Sequence, residues 1–361
     1  MRWALPVISR EQSLFFQIGG EELHCLDSVQ TLILEGFQRG FSAEEICSSL
    51  NKNSEDGALD YVRALQKHWE ESGLLELNSF NSGNNYSYQA YFLLGFSSVA
   101  FYSEYFELYE RLIELFPLQK KLVAPDHLIE VKCSDTSVIE LLIDGESRHQ
   151  CHSFDQLLIA CLFEMGELAT HEFPRLFVAH AAAVRNESQV LLMPGHAGQG
   201  KSTLTAGLIK KGYQLINDDI VPINFDGSLV AINSPLKIKS GSWSVLSNLY
   251  PELDEIKPVM RADDQLMKLV PQAEHSCAAG STHMPTAIII PEYSPKCEPE
   301  LIQLEKGEGL SSILLTEPFL PHRLSRQYLQ AIADWQAELP VWRVRYKHTD
   351  EAAQLLASLP V

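Results

Sequence analysis

The sequence predicts an α/β (α+β) multi-domain chain, in which a small winged-helix-like unit precedes a larger unit built around a phosphate-binding loop. Three observations carry this. The run Gly195-His196-Ala197-Gly198-Gln199-Gly200-Lys201-Ser202-Thr203 fits the P-loop pattern G-x-x-x-x-G-K-[ST] at every fixed position, between an apolar strand pattern and a helical one. The N-terminal segment reads as a hairpin followed by three helical stretches. Between the two, Leu77 to Ser87 is polar and glycine-containing, the clearest linker in the chain. The expected boundaries are residues 1–77 for the first domain, 78–90 for the linker and 91–361 for the second domain, with a nucleotide core at about 174–300.

In the first domain, Leu14 to Ile18 and Glu22 to Leu26 are strand-like and flank Gly19-Gly20, a hairpin turn signal. Asp27 is placed to cap a helix carrying Val29, Leu32, Ile33 and Phe37 at helical spacing. Ser42-Ala43-Glu44-Glu45 is a capping box opening a short helix through Ile46 and Leu50. A third helix starts near Asp56, shows Leu59, Val62, Leu65 and Trp69 on one side, and ends at Gly73. A winged helix often reads DNA, but Asp56, Asp60, Glu70 and Glu71 stand against only Arg63 and Lys67 here, the wrong sign for a recognition helix. The hairpin, Leu26-Asp27, Phe41-Ser42-Ala43-Glu44-Glu45-Ile46 and Ser72-Gly73-Leu74-Leu75 resemble the PqqD-like domain over roughly residues 10–77. That resemblance implies a recognition element for the leader of a ribosomally synthesised precursor peptide, which binds as an added strand at the edge of the sheet.

Composition narrows the function further. The net charge of −19, from 47 acidic and 28 basic residues, repels nucleic-acid phosphates and argues against general nucleic-acid binding. The seven cysteines (Cys25, Cys47, Cys133, Cys151, Cys161, Cys277, Cys297) are odd in number and scattered, with no C-x-x-C pair. They suggest reduced thiols rather than a zinc site or a disulfide framework. No apolar run approaches a membrane span and Met1 to Pro6 has no signal core, so the expectation is a cytoplasmic protein without a membrane partner.

The middle stretch alternates strands and helices. Tyr91–Gly95 with Phe96–Phe101 reads as a strand pair, Tyr105–Phe116 as a helix, and Leu128–Val131 and Val138–Ile143 as strands, with a tight turn at Asp144-Gly145. Phe154–Leu168 reads as an apolar helix, and no chemistry is legible in this stretch.

The chemistry lies further on. Gln189–Met193 reads as a buried strand, Ser202–Lys211 as a helix, and Gly212 sits at the helix C′ position. Strand, glycine loop and helix arrive in the order that aims a helix N-terminus at an anion. Glycines let backbone N–H groups close around phosphate, Lys201 reaches the β and γ phosphates, and the Ser202 hydroxyl can ligate the Mg²⁺ that travels with ATP. Leu176–Val184 reads as a strand containing His180, which taken alone is more often a core histidine. After the helix, Gly212–Val221 holds Asp218-Asp219 between two apolar β segments. Adjacent carboxylates there can divide metal holding from acceptor activation.

In that order, His180-Ala181, Gly195 to Ser202, Lys211-Gly212-Tyr213 and Asn217-Asp218-Asp219 resemble the catalytic domain of HPr kinase/phosphorylase, and more closely the HPr-kinase-related proteins. The resemblance runs from about Phe92 to the C-terminus and is firm over 176–223. It implies a fold shared with phosphoenolpyruvate carboxykinase, Asp218 as acceptor base, Asp219 nearer the metal with Ser202, and His180 lining the phosphate site. It also implies a homo-oligomer, as is common among the related kinases. Two positions depart from the family. Thr203 stands where the bifunctional enzymes carry Glu, which favours a dedicated kinase, and Pro235 to Ser242 replaces a glycine-rich segment. In that segment Lys237 and Lys239 alternate on a strand and share a face, open to phosphate or simply to solvent. Arg261 and the loop Ala273–Pro285 are expected as a cover over the acceptor. Thr286–Pro291, Leu324–Leu339, Val341–Tyr346 and Asp350–Leu359 read as strand, helix, strand and closing helix, with Arg343 and Arg345 as sheet charges.

The expectation is therefore an ATP-dependent, Mg²⁺-requiring kinase that phosphorylates a Ser or Thr hydroxyl of a precursor peptide whose leader the first domain captures. A kinase for an HPr-like carrier protein or a small metabolite is one alternative. A nucleotide-gated binding module without catalysis is the other.

Overall fold

The computed structural model describes residues 3–8, 12–17, 23–27, 29–30, 33–34, 37, 43–49, 58–71, 86–119, 125–133, 138–171, 175–196, 198–272, 274–316 and 325–359. It is an α+β protein that divides into two compact units. Residues 1–92, 97–109 and 118–150 make the first, and 93–96, 110–117 and 151–361 the second.

The first unit opens with β1 (Trp3–Ile8), β2 (Gln12–Gln17) and β3 (Leu23–Asp27), an antiparallel sheet in the order β1-β2-β3. The pairing Phe16↔Leu23 is that of the expected hairpin, whose Gly19-Gly20 turn lies outside the described residues. The sequence reading lacked β1. Pro6 stands inside it, and the register with β2 shifts between Ala4 and Val7, the kind of irregular edge strand in which proline is tolerated. A helix spans Ala43–Ser49 and the next spans Ala58–Glu71; the expected cap Ser42 and the expected end at Gly73 lie outside the described residues. Ile33, Leu34, Phe37, Ala43, Ile46, Val62 and Trp69 form one buried cluster, whereas Val29, expected on the same face as Ile33 and Phe37, is exposed, and Leu32 lies outside the described residues.

A five-stranded sheet follows: β4 (Tyr88–Leu94), β5 (Ser97–Ser103), β6 (His127–Cys133), β7 (Ile139–Ile143) and β8 (Glu146–Cys151), paired in that order. Tyr88, Gln89 and Ala90, read as linker, are instead the first residues of β4. β5 and β6 are parallel, and the helix Phe106–Leu115 lies between them in the chain. Asp144 (φ 52°) and Gly145 (φ 82°) turn β7 into β8, as a two-residue turn with both central residues left-handed requires.

In the second unit the helix Phe154–His171 leads to β9 (Arg175–Ala179), β10 (Ala181–Arg185) and β11 (Val190–Pro194). After the glycine loop come the helix Lys201–Lys210, β12 (Gln214–Asn217), β13 (Val221–Asn224), β14 (Leu229–Val230) and β15 (Leu236–Lys239). The chain continues through β16 (Val259–Met260), β17 (Leu266–Val270), β18 (Thr282–His283), β19 (Ala287–Tyr293) and β20 (Glu300–Leu304). Helices Lys306–Leu314 and Arg326–Ala337, β21 (Val341–Tyr346) and the helix Thr349–Ala357 complete it. The central sheet has the order β12-β10-β11-β19-β21-β20, beside a four-stranded sheet β18-β14-β13-β9 and a three-stranded sheet β15-β17-β16.

Side-chain alternation makes the central sheet two-faced. Ala182, Val184, Leu191, Met193 and Ile289 bury against Leu204, Leu208 and Ile209 of the helix Lys201–Lys210, with Leu356 of the last helix. Their strand neighbours Ala181, Ala183, Leu192 and Ile288 bury on the other face with Ile313 and Ile332 of two later helices. The helix behind the glycine loop is thus covered by sheet and helices, and its residues 203–209 are all buried. Gly207 allows this, because a Cβ there would collide with the Thr349 side chain.

Two expectations are corrected here. The run Leu176–Val184 is two strands, broken at His180, that belong to different sheets. The loop 273–285 is not a free cover: Leu215 N–H donates to His275 O (2.7 Å), Cys277 N–H to Leu215 O (2.8 Å) and Gly280 N–H to Ala231 O (2.9 Å). Arg261 likewise pairs with Asp263 (3.1 Å) within its own turn.

Candidate functional site

The glycine loop leaves the C-terminal end of β11, at the middle of the central sheet. Gly198 and Gly200 both adopt φ 88°, a conformation that other residues rarely take, and Gly200 caps the helix Lys201–Lys210. Among the described residues no side chain caps that helix, so its first-turn N–H groups are left to a ligand. The loop is held from within: His196 N–H donates to Gln199 Oε1 (2.9 Å), and the same oxygen occupies the space that a Cβ on Gly195 would need. From the sheet side, Tyr346 Oη donates to Gly200 O (3.3 Å). Ala197 lies outside the described residues.

Lys201 folds into this loop. Its ammonium donates to the Gly195 carbonyl and to His196 O (3.2 Å), groups that a phosphate would replace. Burial pushes its pKa down, against the opposing pull of Asp218 and Asp219.

The second half of the site comes from a change of sheet. Ala183 pairs with Asn217 in the central sheet, whereas Ala179 pairs with Val221 in the four-stranded one. Two adjacent ribbons therefore pass together from one sheet to the other, and the residues at the bend are His180 on one and Asp218, Asp219 and Ile220 on the other. Asp219 takes φ 83°, uncommon for a residue with a Cβ and a recurrent feature of functional sites. Asn217, fully buried, fixes the bend by donating to Val230 O (2.6 Å) and accepting from Ile232 N (2.7 Å).

The bend brings loop and carboxylates together. Ser202 Oγ donates to Asp218 Oδ1 (3.0 Å), and the Lys237 backbone N–H donates to Asp218 Oδ2 (3.0 Å). Lys237 Nζ donates to Asp219 Oδ2 (2.8 Å), and His180 Nε2 lies 3.1 Å from Asp219 Oδ1. The two carboxylates are driven apart in acidity. Burial and the neighbouring Asp219 charge push Asp218, 2% exposed, up to about 6. Burial also raises Asp219, but the Lys237 ammonium and His180 outweigh it and hold that carboxyl well below the usual range.

His180, Lys201, Ser202, Asp218 and Asp219 therefore form one cluster with the loop. Thr203 does not join it: its hydroxyl shares a 2.6 Å hydrogen bond with Ser242 Oγ. Lys237 turns to Asp219 rather than standing free for phosphate. The alternation of Leu236-Lys237-Ile238-Lys239 gave its face, but its partner lies 18 residues away in the chain and no local pattern points to it. The bracing role of Asn217 is equally nonlocal.

Mg²⁺ takes octahedral oxygen ligands at about 2.1 Å, so neighbouring ligands lie about 3.0 Å apart. Ser202 Oγ and Asp218 Oδ1 are separated by 3.0 Å and fit one edge of such a shell. Asp219, expected nearer the metal, has each oxygen engaged by a basic side chain. No cluster of three or more His, Cys, Asp or Glu among the described residues is arranged to hold an ion without a ligand's help. Among the described residues no helix is long and apolar enough to cross a membrane.

Among solved structures, the HPr(Ser) kinase/phosphatase from Coxiella burnetii is similar at 14% sequence identity, over 50% of this chain and 91% of that one, with a TM-score of 0.23. No protein-family model matches the chain, and no curated protein matches it. A score this low carries no argument about fold or activity, so the functional reading stands on the site's own geometry.

Proposed function

We propose that this chain is an ATP-dependent kinase that phosphorylates a Ser or Thr hydroxyl of a ribosomally synthesised precursor peptide. The observation that carries the reading is the hydrogen bond from the loop's Ser202 to Asp218, a buried carboxylate whose pKa is raised to about 6. General bases work best when their pKa lies near the working pH, and this one stands beside the loop that would hold the phosphates.

In this reading the loop's N–H groups and Lys201 bind the β and γ phosphates of ATP. Ser202 would hold Mg²⁺, whose contribution would be to neutralise phosphate charge. Asp218 Oδ2 orients the acceptor hydroxyl and takes its proton, the hydroxyl oxygen bonds to the γ phosphorus, and the bond to the β-bridging oxygen breaks to release ADP. Lys237 and His180 keep Asp219 ionised, and its charge holds the Asp218 pKa up. Thr203, buried against Ser242, brings no carboxylate to the metal, which suits transfer in one direction. The first unit's sheet has β1 and β3 as its edges, the arrangement that strand addition by a leader peptide uses.

The test is a panel of acceptors with γ-labelled ATP: a precursor peptide, its leaderless core, an HPr-like protein and free serine. The expected result is label on the precursor, none with Asp218→Asn, and inhibition by excess free leader that leaves labelling of the core unchanged. Label on the carrier protein or on serine alone would replace the peptide assignment. Label on none of them with the parent chain overturns the kinase reading.

A further inference from the structure

In a phosphoryl transfer the attacking and leaving oxygens lie in line, on opposite sides of the moving phosphorus. Asp218 stands on one side of the glycine loop, at the bend where β12 and its neighbour β10 end. On the other side of β11 the central sheet continues with β19 and β21, which run parallel to it. Ligands of open α/β sheets settle beyond the carboxyl ends of such strands. Leu192 pairs with Ile288, so Pro194, where β11 gives way to the loop, is level with Ile290. β19 runs on to Tyr293, about 10 Å farther along the strand. There a Cβ on Gly200 would lie 3.5 Å from the Tyr293 Cβ. Tyr293 is 43% exposed, whereas its register partner Tyr346 is buried. The two rings meet edge to face with centroids 5.8 Å apart, and Tyr346 Oη donates to the Gly200 carbonyl. An exposed ring therefore stands beside the phosphate loop, braced by a buried ring that is itself tied to that loop.

We propose that Tyr293 is the platform on which the purine ring of the bound nucleotide stacks. The inference rests on the kinase reading for setting the nucleoside opposite Asp218, but the ring and the loop are neighbours whatever the acceptor. The loop's N–H groups and Lys201 recognise phosphate and carry no contact to a base. Tyr293 supplies that contact: a purine laid on its face takes two apolar surfaces out of water and gains offset stacking. The Tyr346 ring behind it limits the side-chain freedom left to lose on binding. With the base held on the β19 side, the β-phosphate leaves away from Asp218, as in-line transfer to a hydroxyl at Asp218 requires.

Affinities of the full chain for ATP and for inorganic tripolyphosphate, each measured with Mg²⁺, separate base from phosphates. Tyr293→Ala is expected to weaken ATP about 5- to 150-fold, the scale of base–aromatic stacking, and to leave tripolyphosphate unchanged. Tyr293→Phe keeps the ring and should bind ATP as the parent does. In the parent chain carrying ring-labelled tyrosine, the Tyr293 signal, assigned by its loss in the Phe variant, should show nuclear Overhauser contacts to adenine H2 or H8. An alanine variant that loses ATP and tripolyphosphate in step shapes the loop without holding the base, and one that loses neither leaves the ring idle; either result overturns the proposal. A parent chain that binds tripolyphosphate as tightly as ATP overturns it too. Where the alanine variant does not fold, the Overhauser contacts decide alone, and their absence rules the platform out. A selective loss of ATP, with those contacts present but no phosphoryl transfer to any acceptor, leaves the platform standing and sinks the kinase reading instead.

Discussion

Ser202 donates its hydroxyl hydrogen to Asp218 across 3.0 Å, and this single contact joins the glycine loop to the bend between two sheets. Ser202 is fixed by the start of a buried helix, and Asp218 by Asn217 and the Lys237 backbone. Neither residue depends on a mobile side chain to meet the other. The pair is therefore preorganised for a ligand that brings phosphate and metal together.

Asp218→Asn should abolish transfer and stabilise the fold. As the base, Asp218 is expected to contribute about 10²–10⁴ in rate. Asn can still donate to Ser202 Oγ and accept from Lys237 N–H, so no group is orphaned. The folded pKa of about 6 lies above the ordinary 3.8. The parent therefore has its full stability below about pH 4 and loses some as pH rises through 6, where the buried carboxylate ionises. Two pKa units correspond to about 3 kcal/mol. In metal-free buffer the variant should match the parent at pH 4 and exceed it by up to that amount at pH 8. Equal stability at both pH values would mean that Asp218 ionises freely.

The sequence reveals those parts of this site that local chemistry dictates. Gly198, Gly200 and Gly212 all adopt left-handed φ, where the motif and the helix end ask for glycine. Asp144-Gly145 turns as its dipeptide predicts. What stayed hidden was nonlocal. Ala179-His180-Ala181 contains no turn residue, so the run reads as one strand. It breaks because its partners, Val221 and Asn217, already belong to different sheets. The segment 273–285 looks like a loop by composition, yet Leu215 and Ala231 hold it through backbone bonds that no side-chain pattern encodes.

Lys237→Gln should move the acid limb of the acceptor kcat/KM profile upward. The ammonium lowers both carboxylates, Asp219 through a direct ion pair and Asp218 through space. Without it both need higher pH to ionise, while the Lys237 backbone N–H still holds Asp218. Lys237→Arg should restore most of the profile. A limb that stays in place in the Gln variant would remove Lys237 from the electrostatics of the base.

Two loop glycines should respond differently to alanine. At Gly198 the space beside Cα is open, so Gly198→Ala bears only the left-handed backbone cost of about 1–2 kcal/mol. At Gly200 a Cβ would come within 2.8 Å of Tyr346 Oη and displace the hydroxyl that binds the Gly200 carbonyl. Gly200→Ala should therefore lower Tm more than Gly198→Ala. Equal losses would mean that the Tyr346 contact is not constraining the loop.

Asn217→Ala tests whether the bend is braced as the geometry implies. Removing this amide strands the Val230 carbonyl and the Ile232 N–H in a fully buried place, at about 1–3 kcal/mol each. It also frees Asp218, the next residue, from its fixed position against Ser202. The expected outcome is a lower Tm together with a loss of kcat larger than any change in the ATP Kd, because the loop itself is braced by Gln199 and Tyr346. Asn217→Asp keeps the acceptor for Ile232 N–H but sets a carboxylate against the Val230 carbonyl, so it should be no better tolerated than alanine. A variant that loses ATP binding in step with kcat would show that the bend and the loop act as one structural piece.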